Sequence, residues 1–575
     1  MRLGYSKSKN TVQFYVMKDI KKNGKRSTKI VKKLGNYEEI KKKSNGEDPY
    51  IWAKKYIEKL NKKAKEGSEE ILIKKSQTRK IEKEKNNLFN CGYLFLEKIY
   101  YQLKLNKICK EISERHQFKY DLNDILSRLI YGRIIFPSSK LATNELSKKF
   151  IEQPNFRLEQ IYRALEVINE ENDFIQSQLY KNSEKIHERN TGVLYYDCTN
   201  YFFEIEQAEG IKQYGPSKEH RPNPIVQMGL FMDGDGMPLA FNITSGNTNE
   251  QTTMTPLEEK IMKDFEISKF IVCTDAGLSS NENRKFNDKE DRAFITTQSI
   301  KKLKKHLREW ALSKEDWSLV GDNKKYNLNE ILKTEENQKY YYDKIFYKER
   351  WIKENGLEQK LIVTYSLKYK TYQENIRNNQ IERAKKAIEN GCKKIDSVNP
   401  NDYKRLIVKT SITEDGEVAE KKVYTINENQ IAKEEQYDGF YGVCTNLDEG
   451  ATEIVKVNKR RWEIEECFRI MKTEFKARPV YLSREDRIKA HFMICYIALL
   501  IYRILEKKLG EKFTTKDIIE TLRNMYMYKE ETEGYFPAYV RTDLTDKLHE
   551  KSGFRTDYEI TTEQKMKKIL RNLKK

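Results

Sequence analysis

The sequence contains no hydrophobic run long enough to cross a membrane. Its longest uninterrupted apolar stretch, Phe492 to Tyr502, has eleven residues, whereas a spanning helix needs about 20. The first ten residues, MRLGYSKSKN, place no apolar stretch behind their basic residues, so we expect no secretory signal. These absences argue against a membrane or exported protein and favour a cytoplasmic one.

Cysteine and histidine are scarce and scattered. The 575 residues include eight cysteines and six histidines, and no two cysteines have CxxC spacing. A disulfide scaffold needs paired cysteines, and a zinc ribbon needs clustered cysteines or histidines. The sequence therefore predicts neither, which is consistent with a reducing compartment.

Basic residues outnumber acidic ones. The chain has 109 Lys+Arg against 88 Asp+Glu, a net charge of +21, and an aromatic content of 11%. This aromatic content is sufficient for a packed core. The positive charge favours a polyanionic partner, most simply nucleic acid, although a generally lysine-rich surface is the alternative.

The hydrophobic periodicity changes from helical to β after residue 190. Three strand-like segments follow in hairpin order, a fourth is reached through a helix, and a fifth through another helix. These segments are TGVLYYDCTNYFFEI, VQMGLFMD, MPLAFNITSG, FIVCTD and AFITTQ. This order predicts an α/β fold with a mixed sheet, in the arrangement of ribonuclease-H-like domains.

An α+β insertion is predicted to interrupt this sheet, and helical regions are predicted to flank it. The sequence predicts six parts: a β-hairpin unit with a turn at Asn23-Gly24 and a charged helical linker (1–90), a helical domain (91–190), the first part of the ribonuclease-H-like core (191–300), the insertion domain (301–436), the second part of the core (437–484) and a C-terminal helical region (485–575). Short helices in the helical domain allow a DNA contact, but a purely structural bundle fits them equally well.

One acid lies in each of two strand-like segments. Asp197 is in the middle of TGVLYYDCTNYFFEI, and Asp275 ends the apolar run FIVCTD. A buried carboxylate is costly unless it is paired or binds a cation, and ligands collect at strand ends in open α/β sheets. If the first and fourth strands are neighbours, the two acids converge. The alternatives are a structural Asp197 capped by hydroxyl or backbone donors and an Asp275 that caps a helix.

A third acid is predicted on a helix over residues 453–475. Glu465 shares one helix face with three cations at i, i+4, i+8 and i+11 spacing. These cations are Arg461, Arg469 and Lys472. The other side of the helix is apolar and would anchor it. The alternative is an ordinary surface ladder of ion pairs.

The three carboxylates lack histidine or cysteine partners and therefore suit Mg²⁺ or Mn²⁺ better than zinc. Two such ions about 3.5–4 Å apart can activate an attacking oxygen and stabilise the leaving one in phosphodiester transfer. The cations beside Glu465 would hold the phosphate backbone. Asp438 is the strongest competitor as a metal ligand, although a turn role is favoured for it.

These motifs resemble those of the DDE transposases of bacterial insertion sequences, in the branch with a β-rich insertion inside the ribonuclease-H-like domain. Arg461, Glu465 and Lys472 fit the R, E and K of that branch's Y-x2-R-x3-E-x6-K signature, while Asn458 stands at the Tyr position. The resemblance covers roughly residues 90–510.

The two aspartates carry the same resemblance. Asp197 in YYDCTNY is similar to the family's first Asp, and Asp275 in VCTDAGLSS is similar to the second. Two other segments are family-like: GPSKEHRPNPIVQMGL (215–230), with Lys218, His220 and Arg221, and the GNTNE turn (246–250).

The resemblance implies cut-and-paste DNA transposition. The protein would bind the terminal inverted repeats of its element, hydrolyse phosphodiesters there and join the liberated 3′-hydroxyl to target DNA. It would act as a homodimer on paired ends of double-stranded DNA. Asp197, Asp275 and Glu465 would be the catalytic residues and would hold two Mg²⁺ ions per active site, with Mn²⁺ as a substitute.

The resemblance also implies residues that contact DNA. Arg461 and Lys472 would grip DNA near the scissile phosphate, and the remaining candidates are Arg469, Lys218, His220 and Arg221. A tryptophan of the insertion can stack on a flipped base in this branch. Trp310, Trp317 and Trp351 are the candidates here, with a core role as the alternative for each.

Two other functions compete with transposition. One is a ribonuclease-H-like nuclease or resolvase that cuts without joining, against which the insertion and the Arg–Glu–Lys helix argue. The other is a catalytically inactive, transposase-derived DNA-binding protein, against which the three intact acids argue.

Overall fold

Two units make up the described part of the chain. The computed structural model describes residues 1–8, 11–22, 25–65, 77–78, 80–289, 291–390, 402–412, 418–530 and 533–575. One unit comprises Met1–Asn87, Tyr528–Phe536 and Glu559–Met566, and the other comprises Leu88–Met527, Pro537–Tyr558 and Lys567–Lys575.

The N-terminal part of the smaller unit is an antiparallel sheet followed by two helices. Its elements are β1 (Arg2–Lys7), β2 (Val12–Lys22), β3 (Lys25–Asn36), α1 (Tyr37–Lys43) and α2 (Pro49–Lys65). β2 pairs with both β1 and β3, within the range for which the sequence predicts a β-hairpin unit. The predicted turn at Asn23-Gly24 lies outside the described residues. Asp48 caps α2 by accepting hydrogen bonds from the N–H groups of Tyr50 and Ile51.

The larger unit begins with helices. Its first elements are β4 (Leu88–Asn90), α3 (Tyr93–Gln102), α4 (Leu105–His116), α5 (Leu122–Ile135), α6 (Lys140–Leu146), α7 (Leu158–Glu170) and α8 (Asn172–Ser183). α5 ends before Pro137, which cannot continue a helix. The Ser139 hydroxyl caps α6 by accepting from the N–H of Ala142 at 3.2 Å.

A ten-stranded mixed sheet forms the centre of the larger unit. The first half of the sheet and the helices that connect its strands comprise β5 (Val193–Phe202), β6 (Ile225–Asp233), β7 (Pro238–Ser245), α9 (Met254–Phe265), β8 (Phe270–Thr274), α10 (Asn281–Phe286) and β9 (Arg292–Gln298). These strands lie in the order β9-β8-β5-β6-β7. β6 is antiparallel to β5 and β7, whereas β8 is parallel to β5 and β9. The predicted α/β fold with a mixed sheet is confirmed.

The range predicted as an insertion contributes strands to the same sheet. The elements that follow β9 are α11 (Lys305–Leu312), β10 (Trp317–Leu319), β11 (Asp322–Tyr326), α12 (Leu328–Leu332), α13 (Glu335–Tyr341), β12 (Phe346–Glu354), β13 (Leu357–Tyr365), α14 (Leu367–Glu389), β14 (Ile407–Ile412), β15 (Val418–Ile426), α15 (Glu428–Glu435) and β16 (Phe440–Thr445). β16 pairs antiparallel with both β9 and β13, so the order continues as β11-β10-β12-β13-β16-β9. β14 and β15 form a separate hairpin.

The C-terminal part is mainly helical. Its elements are α16 (Ala451–Lys459), α17 (Trp462–Arg469), α18 (Glu485–Leu509), α19 (Thr515–Asn524), β17 (Tyr526–Glu530), β18 (Gly534–Pro537), α20 (Asp543–Ser552) and α21 (Glu563–Leu573). Among the described helices, α18 alone is long and apolar enough to cross a membrane, but 94% of its apolar window is buried inside the protein. α18 is therefore a core helix, which packs against α5, α7 and β7.

Candidate active site

Two aspartates occupy matching positions on neighbouring parallel strands. In the parallel pairing of β5 with β8, Tyr195 lies opposite Cys273. Two residues further along, Asp197 lies within β5, and Asp275 directly follows β8. Adjacent strands are about 4.8 Å apart, and residues opposite each other in a parallel pair point to the same face. The two carboxylates therefore lie side by side at the carboxyl end of β8.

Each aspartate uses one oxygen for a backbone contact. Asp197 Oδ1 accepts a hydrogen bond from the N–H of Cys198 at 2.8 Å. Asp275 Oδ1 accepts from the N–H groups of Gly277 at 2.9 Å and Leu278 at 3.0 Å. Neither Oδ2 has a hydrogen-bond partner among the described residues. Backbone capping thus leaves one oxygen of each carboxylate open for a ligand.

Burial and charge act against each other at Asp197. Burial raises the pKa of its carboxyl group to about 6, and the nearby Asp275 adds to this rise. Lys218 and Arg461 oppose the rise because their positive charges favour the ionised carboxylate. The Lys218 ammonium is held in place by a hydrogen bond to the carbonyl oxygen of Cys198.

Glu250 is an acid of this site that sequence reasoning did not select. Its Oε1 lies 3.8 Å from the Lys218 Nζ. Burial raises the pKa of Glu250, with Asp275 adding to the rise and Lys218 opposing it. The only signal in the sequence was the position of Glu250 at the end of the GNTNE turn.

The prediction of one uninterrupted helix over 453–475 is wrong. α16 ends at Lys459, α17 begins at Trp462, and a π-helical turn covers Ile470–Glu474. Arg460, in the turn between the helices, lies 3.1 Å from Glu463, which also contacts the buried Arg503 of α18 at 3.2 Å. The tertiary ion pair between Glu463 and Arg503 fixes the first turn of α17, and helical periodicity does not reveal this partner because it lies 40 residues away in the chain.

Glu465 lies on the exposed side of α17 and pairs with Arg461. The distance from Arg461 Nη1 to Glu465 Oε1 is 3.6 Å, and the Glu465 side chain is 60% exposed. Burial lowers the pKa of Arg461, but the effects of Tyr441, Asp197, Asp275 and Glu465 are together larger than that of burial. The net result is a raised pKa. Arg461 therefore interacts with the two aspartates and with Glu465.

The three predicted acids do not form a closed metal site in this structure. Within the described ranges, no group of three or more His, Cys, Asp or Glu side chains is placed to hold a metal ion. Asp197 and Asp275 are brought together, and Glu465 is connected to them through Arg461. The open Oδ2 atoms of the two aspartates are hard oxygen donors, which fit a divalent cation such as Mg²⁺.

The structure brings Lys472 to the aspartates but not Arg469. Burial lowers the pKa of Lys472 to about 8, and Lys218 lowers it further while Asp197 opposes. Arg469 instead pairs with Glu466 at 2.6 Å and with Glu474 at 3.4 Å. Arg469 ends α17, whereas Lys472 lies within the π-helical turn that follows. This turn changes the helical spacing, so the two cations do not share the predicted face.

Two more predicted DNA-binding residues lie in the loop before β6. His220 is exposed, with a left-handed backbone at φ 55°. The Arg221 guanidinium stacks 4.2 Å from the ring centroid of Phe202 and lies 3.8 Å from Glu219. Glu219, which sequence reasoning did not select, also lies 3.7 Å from Lys472 and contacts Arg478. Glu219 therefore lies between Arg221 of this loop and two cations that follow α17, Lys472 and Arg478.

Other candidates have structural partners. Asp438 forms a bidentate ion pair with the buried Arg377 at 2.8 and 2.5 Å, so this carboxylate is already occupied. Trp317 is fully buried in the core of the larger unit, whereas Trp351 is 42% exposed. Trp310 packs against the same core as Trp317.

Trp462, at the start of α17, is an aromatic residue that sequence reasoning did not select. Its side chain is 61% exposed. It lines a cavity of about 690 Å³ together with cations that include Lys456, Lys459 and Arg460. An exposed aromatic side chain beside basic residues is a common feature of nucleic-acid surfaces.

Known proteins resemble this chain to different extents. No curated protein matches it in sequence. Among solved structures, it is similar to the piggyBac transposase in a cryo-EM structure of the synaptic complex with hairpin DNA, with 9% identity, a TM-score of 0.36 and 84% of each chain covered. The family model of the transposase DDE domain matches residues 201–501, a range that includes Asp275 and Glu465 and begins after Asp197. Because this range is more than half of the sequence, the chain belongs to the DDE transposase family.

Proposed function

We propose that this chain is the transposase of a bacterial insertion sequence and that it cuts the element's ends and joins them to target DNA. The observation that carries the proposal is that Asp197 in β5 and Asp275 directly after β8 lie at matching positions, with Lys218 and Arg461 beside them. Paired carboxylates surrounded by cations are suited to phosphodiester chemistry on DNA. A cytoplasmic location, with the protein bound to DNA, agrees with this activity.

Asp197 and Asp275 are proposed to hold Mg²⁺ through their open oxygens, with Glu465 as the third ligand. Two adjacent, partly buried carboxylates repel each other, and a divalent cation relieves that repulsion. When bound, two such ions supply activation of the attacking oxygen and stabilisation of the leaving oxygen. Mn²⁺ has similar ligand preferences and is the expected substitute.

The cations of the site are proposed to position the DNA backbone. Lys218, Arg461 and Lys472 all interact electrostatically with Asp197. A phosphate at this position would compete with Glu465 for Arg461, because the ion pair between these two side chains is long, at 3.6 Å, and its Glu465 side is exposed to solvent. Release from Arg461 would free Glu465 to turn toward the two aspartates. His220, Arg221 and Arg469 are proposed as more peripheral DNA contacts.

The signature of the insertion-sequence branch is retained in part. Arg461, Glu465 and Lys472 have its spacing. Asn458 stands at its Tyr position and donates a hydrogen bond to the Tyr441 hydroxyl at 2.8 Å, which places a tyrosine of β16 next to Arg461. We further propose that the protein acts as a homodimer on the paired terminal inverted repeats and that it catalyses cut-and-paste transposition.

A strand-transfer assay with duplexes that carry the element's terminal repeats tests the proposal. With Mg²⁺, the wild-type protein should cut the ends and join them to a target duplex. Asp197→Asn should abolish both steps. Asp291→Asn is the matched control, because Asp291 is 68% exposed and, among the residues that the structure describes, pairs only with the exposed Lys269. This variant should retain full activity.

Two outcomes would contradict transposition. Products of cutting without joining would assign the protein to the nucleases or resolvases. DNA binding with no cleavage by the wild type, unchanged in Asp197→Asn, would identify a catalytically inactive DNA-binding protein.

A further inference from the structure

Three basic side chains are buried together where α5, α6 and α18 approach one another. Arg133, Lys140 and His491 are each at most 6% exposed. All three line a cavity of about 240 Å³. None of the described residues that line this cavity is acidic, and within the described chain none of the three basic side chains forms an ion pair.

Lys140 has one weak polar partner. Its Nζ lies 3.5 Å from Nδ1 of His491. The other ring nitrogen of His491, Nε2, lies 3.2 Å from the carbonyl oxygen of Ala477, so it carries the ring proton and Nδ1 is the acceptor. An ammonium group has three N–H donors, and the remaining donors of Lys140 have no partner among the described residues.

Arg133 is fixed in place but not neutralised. Its Nη1 donates to the carbonyl oxygen of Phe475, and its Nη2 donates to that of Ser138, each at 3.0 Å. Its buried Nε has no hydrogen-bond partner in the part of the chain that the structure describes. The guanidinium is therefore held rigidly at the cavity wall with its charge uncompensated.

This arrangement is unfavourable without an anion. Burial, with the charge of Arg133 beside it, lowers the pKa of Lys140 to about 7. Burial and the two cations hold the pKa of His491 well below its usual range. An isolated buried charge is costly unless it is paired, and an anion in the cavity would supply the pair.

The cavity lies close to Lys472, one of the cations proposed to position the DNA backbone. Lys476, Arg478 and the 71% exposed Tyr481 are among the residues that line it. Arg478 contacts Glu219, which also lies 3.7 Å from Lys472. The volume is below the range of about 300–1,000 Å³ that is typical of pockets for small organic ligands, which favours a single small anionic group.

We propose that this cavity binds one phosphate group through the free N–H donors of Lys140 and Arg133, while Nδ1 of His491 orients the Lys140 ammonium. The phosphate comes either from the DNA backbone or from free inorganic phosphate, since both present the same oxygens. Binding of a DNA phosphate rests on the function proposed above, whereas binding of free inorganic phosphate does not.

Thermal melting tests whether the cavity binds free inorganic phosphate. The melting temperature is compared in sodium phosphate and in sodium chloride of equal ionic strength for the wild type, Lys140→Met, Lys140→Arg and Lys148→Met. Lys148 is the matched control, because it is 55% exposed and pairs with Glu145 at the surface. A ligand that binds only the folded state raises the melting temperature. We expect a phosphate-specific rise in the wild type, in Lys140→Arg and in Lys148→Met, and its loss in Lys140→Met.

Lys140→Met should fold, because it removes an unpaired buried cation. Its melting temperature in chloride should equal or exceed that of the wild type, which separates loss of binding from loss of structure.

Measuring binding to duplex DNA at several salt concentrations tests whether the cavity binds a phosphate of the DNA backbone. One lost phosphate contact reduces the slope of log Kobs against log[salt] by about 0.9, so Lys140→Met should show a slope smaller by that amount, while Lys148→Met should keep the wild-type slope. A change in either assay supports the site and identifies its source. If phosphate stabilises the wild type no more than chloride and the Lys140→Met slope is unchanged, the proposal is overturned. If the wild type does not bind DNA, the function proposed above fails, and the melting assay alone decides the cavity.

Discussion

Glu465 and Glu466 are adjacent carboxylates with different partners. Glu465 is 60% exposed and lies 3.6 Å from Arg461, which also interacts with the two aspartates. Glu466 pairs with Arg469 at 2.6 Å, away from the aspartates. Their contrast makes them a matched pair for testing the third predicted acid.

We expect Glu465→Gln to reduce cleavage of end-containing duplexes by at least about 100-fold. Even the outer partners of metal ligands contribute about 10–100-fold to activity, and a direct ligand should contribute more. Binding to the ends, measured by mobility shift, should be retained, and Glu466→Gln should cleave normally. An equally large loss of end binding in Glu465→Gln would indicate that this residue has a structural role.

Glu258 should make the stability of the fold depend on pH. It is fully buried in α9, and its Oε1 accepts a hydrogen bond from Asn287 at 2.9 Å. Burial raises its pKa from 4.5 to about 8. Between these pH values the unfolded chain releases a proton that the folded chain retains, so the free energy of unfolding falls as pH rises.

We therefore expect Glu258→Gln to lose this component of the pH dependence. The melting temperature of the wild type relative to Glu258→Gln should fall between pH 5 and pH 8. Glu259→Gln, which alters the exposed neighbour, should follow the wild-type curve. Parallel curves for the wild type and Glu258→Gln over this range would show that Glu258 is ionised in the folded protein.

A buried ion-pair network connects three elements beside the candidate site. Arg503 of α18 lies 3.2 Å from Glu463 of α17, contacts Glu506 of its own helix, and donates to the carbonyl oxygen of Gly236 at 3.0 Å. Gly236 has φ +79° in the turn between β6 and β7, and a Cβ there would clash with Glu463. The network thus sets the position of α17, which carries Glu465.

We expect Arg503→Met to destabilise the fold by about 3–5 kcal/mol, because it leaves buried carboxylates without their cation. Arg487→Met is the control on the same helix. Arg487 pairs with Glu166 near the surface at 2.7 Å, and exposed pairs contribute only about 0–1 kcal/mol. Urea denaturation compares the two variants. Equal shifts of the unfolding midpoint would show that the network is not a major source of stability.

The elements that the sequence predicts well depend on local pattern. The five segments between 191 and 300 show strand periodicity and short connections, and their order follows from chain connectivity. The sequence predicted that the sheet resumes near β16, but not that β13 of the insertion range pairs with it, because alternation identifies a strand but not its distant partner. The break between α16 and α17 depends on Arg503, which is remote in sequence.

The same distinction holds within the candidate site. Asp197 and Asp275 were predictable because each is a lone acid in a strand-like segment. Glu250 and Glu219 lie in loops, where no periodicity marks a residue, and only the fold brings Lys218 and Lys472 to them.

For the whole molecule, a net charge of +21 and the cations gathered around Asp197 predict that binding to DNA weakens steeply with salt. Each lysine or arginine that contacts a phosphate releases a counterion, so log Kobs should fall linearly with log[salt] at a slope of about −0.9 per contact. Fluorescence anisotropy with two labelled duplexes measures this slope: one carries the terminal repeat, and the other is a scrambled sequence of equal length. Both should show a steep slope, because the phosphate contacts are common to both, while the repeat should bind more tightly at every salt concentration. A response that is flat between low and moderate salt would show that the positive charge of this chain does not serve DNA binding.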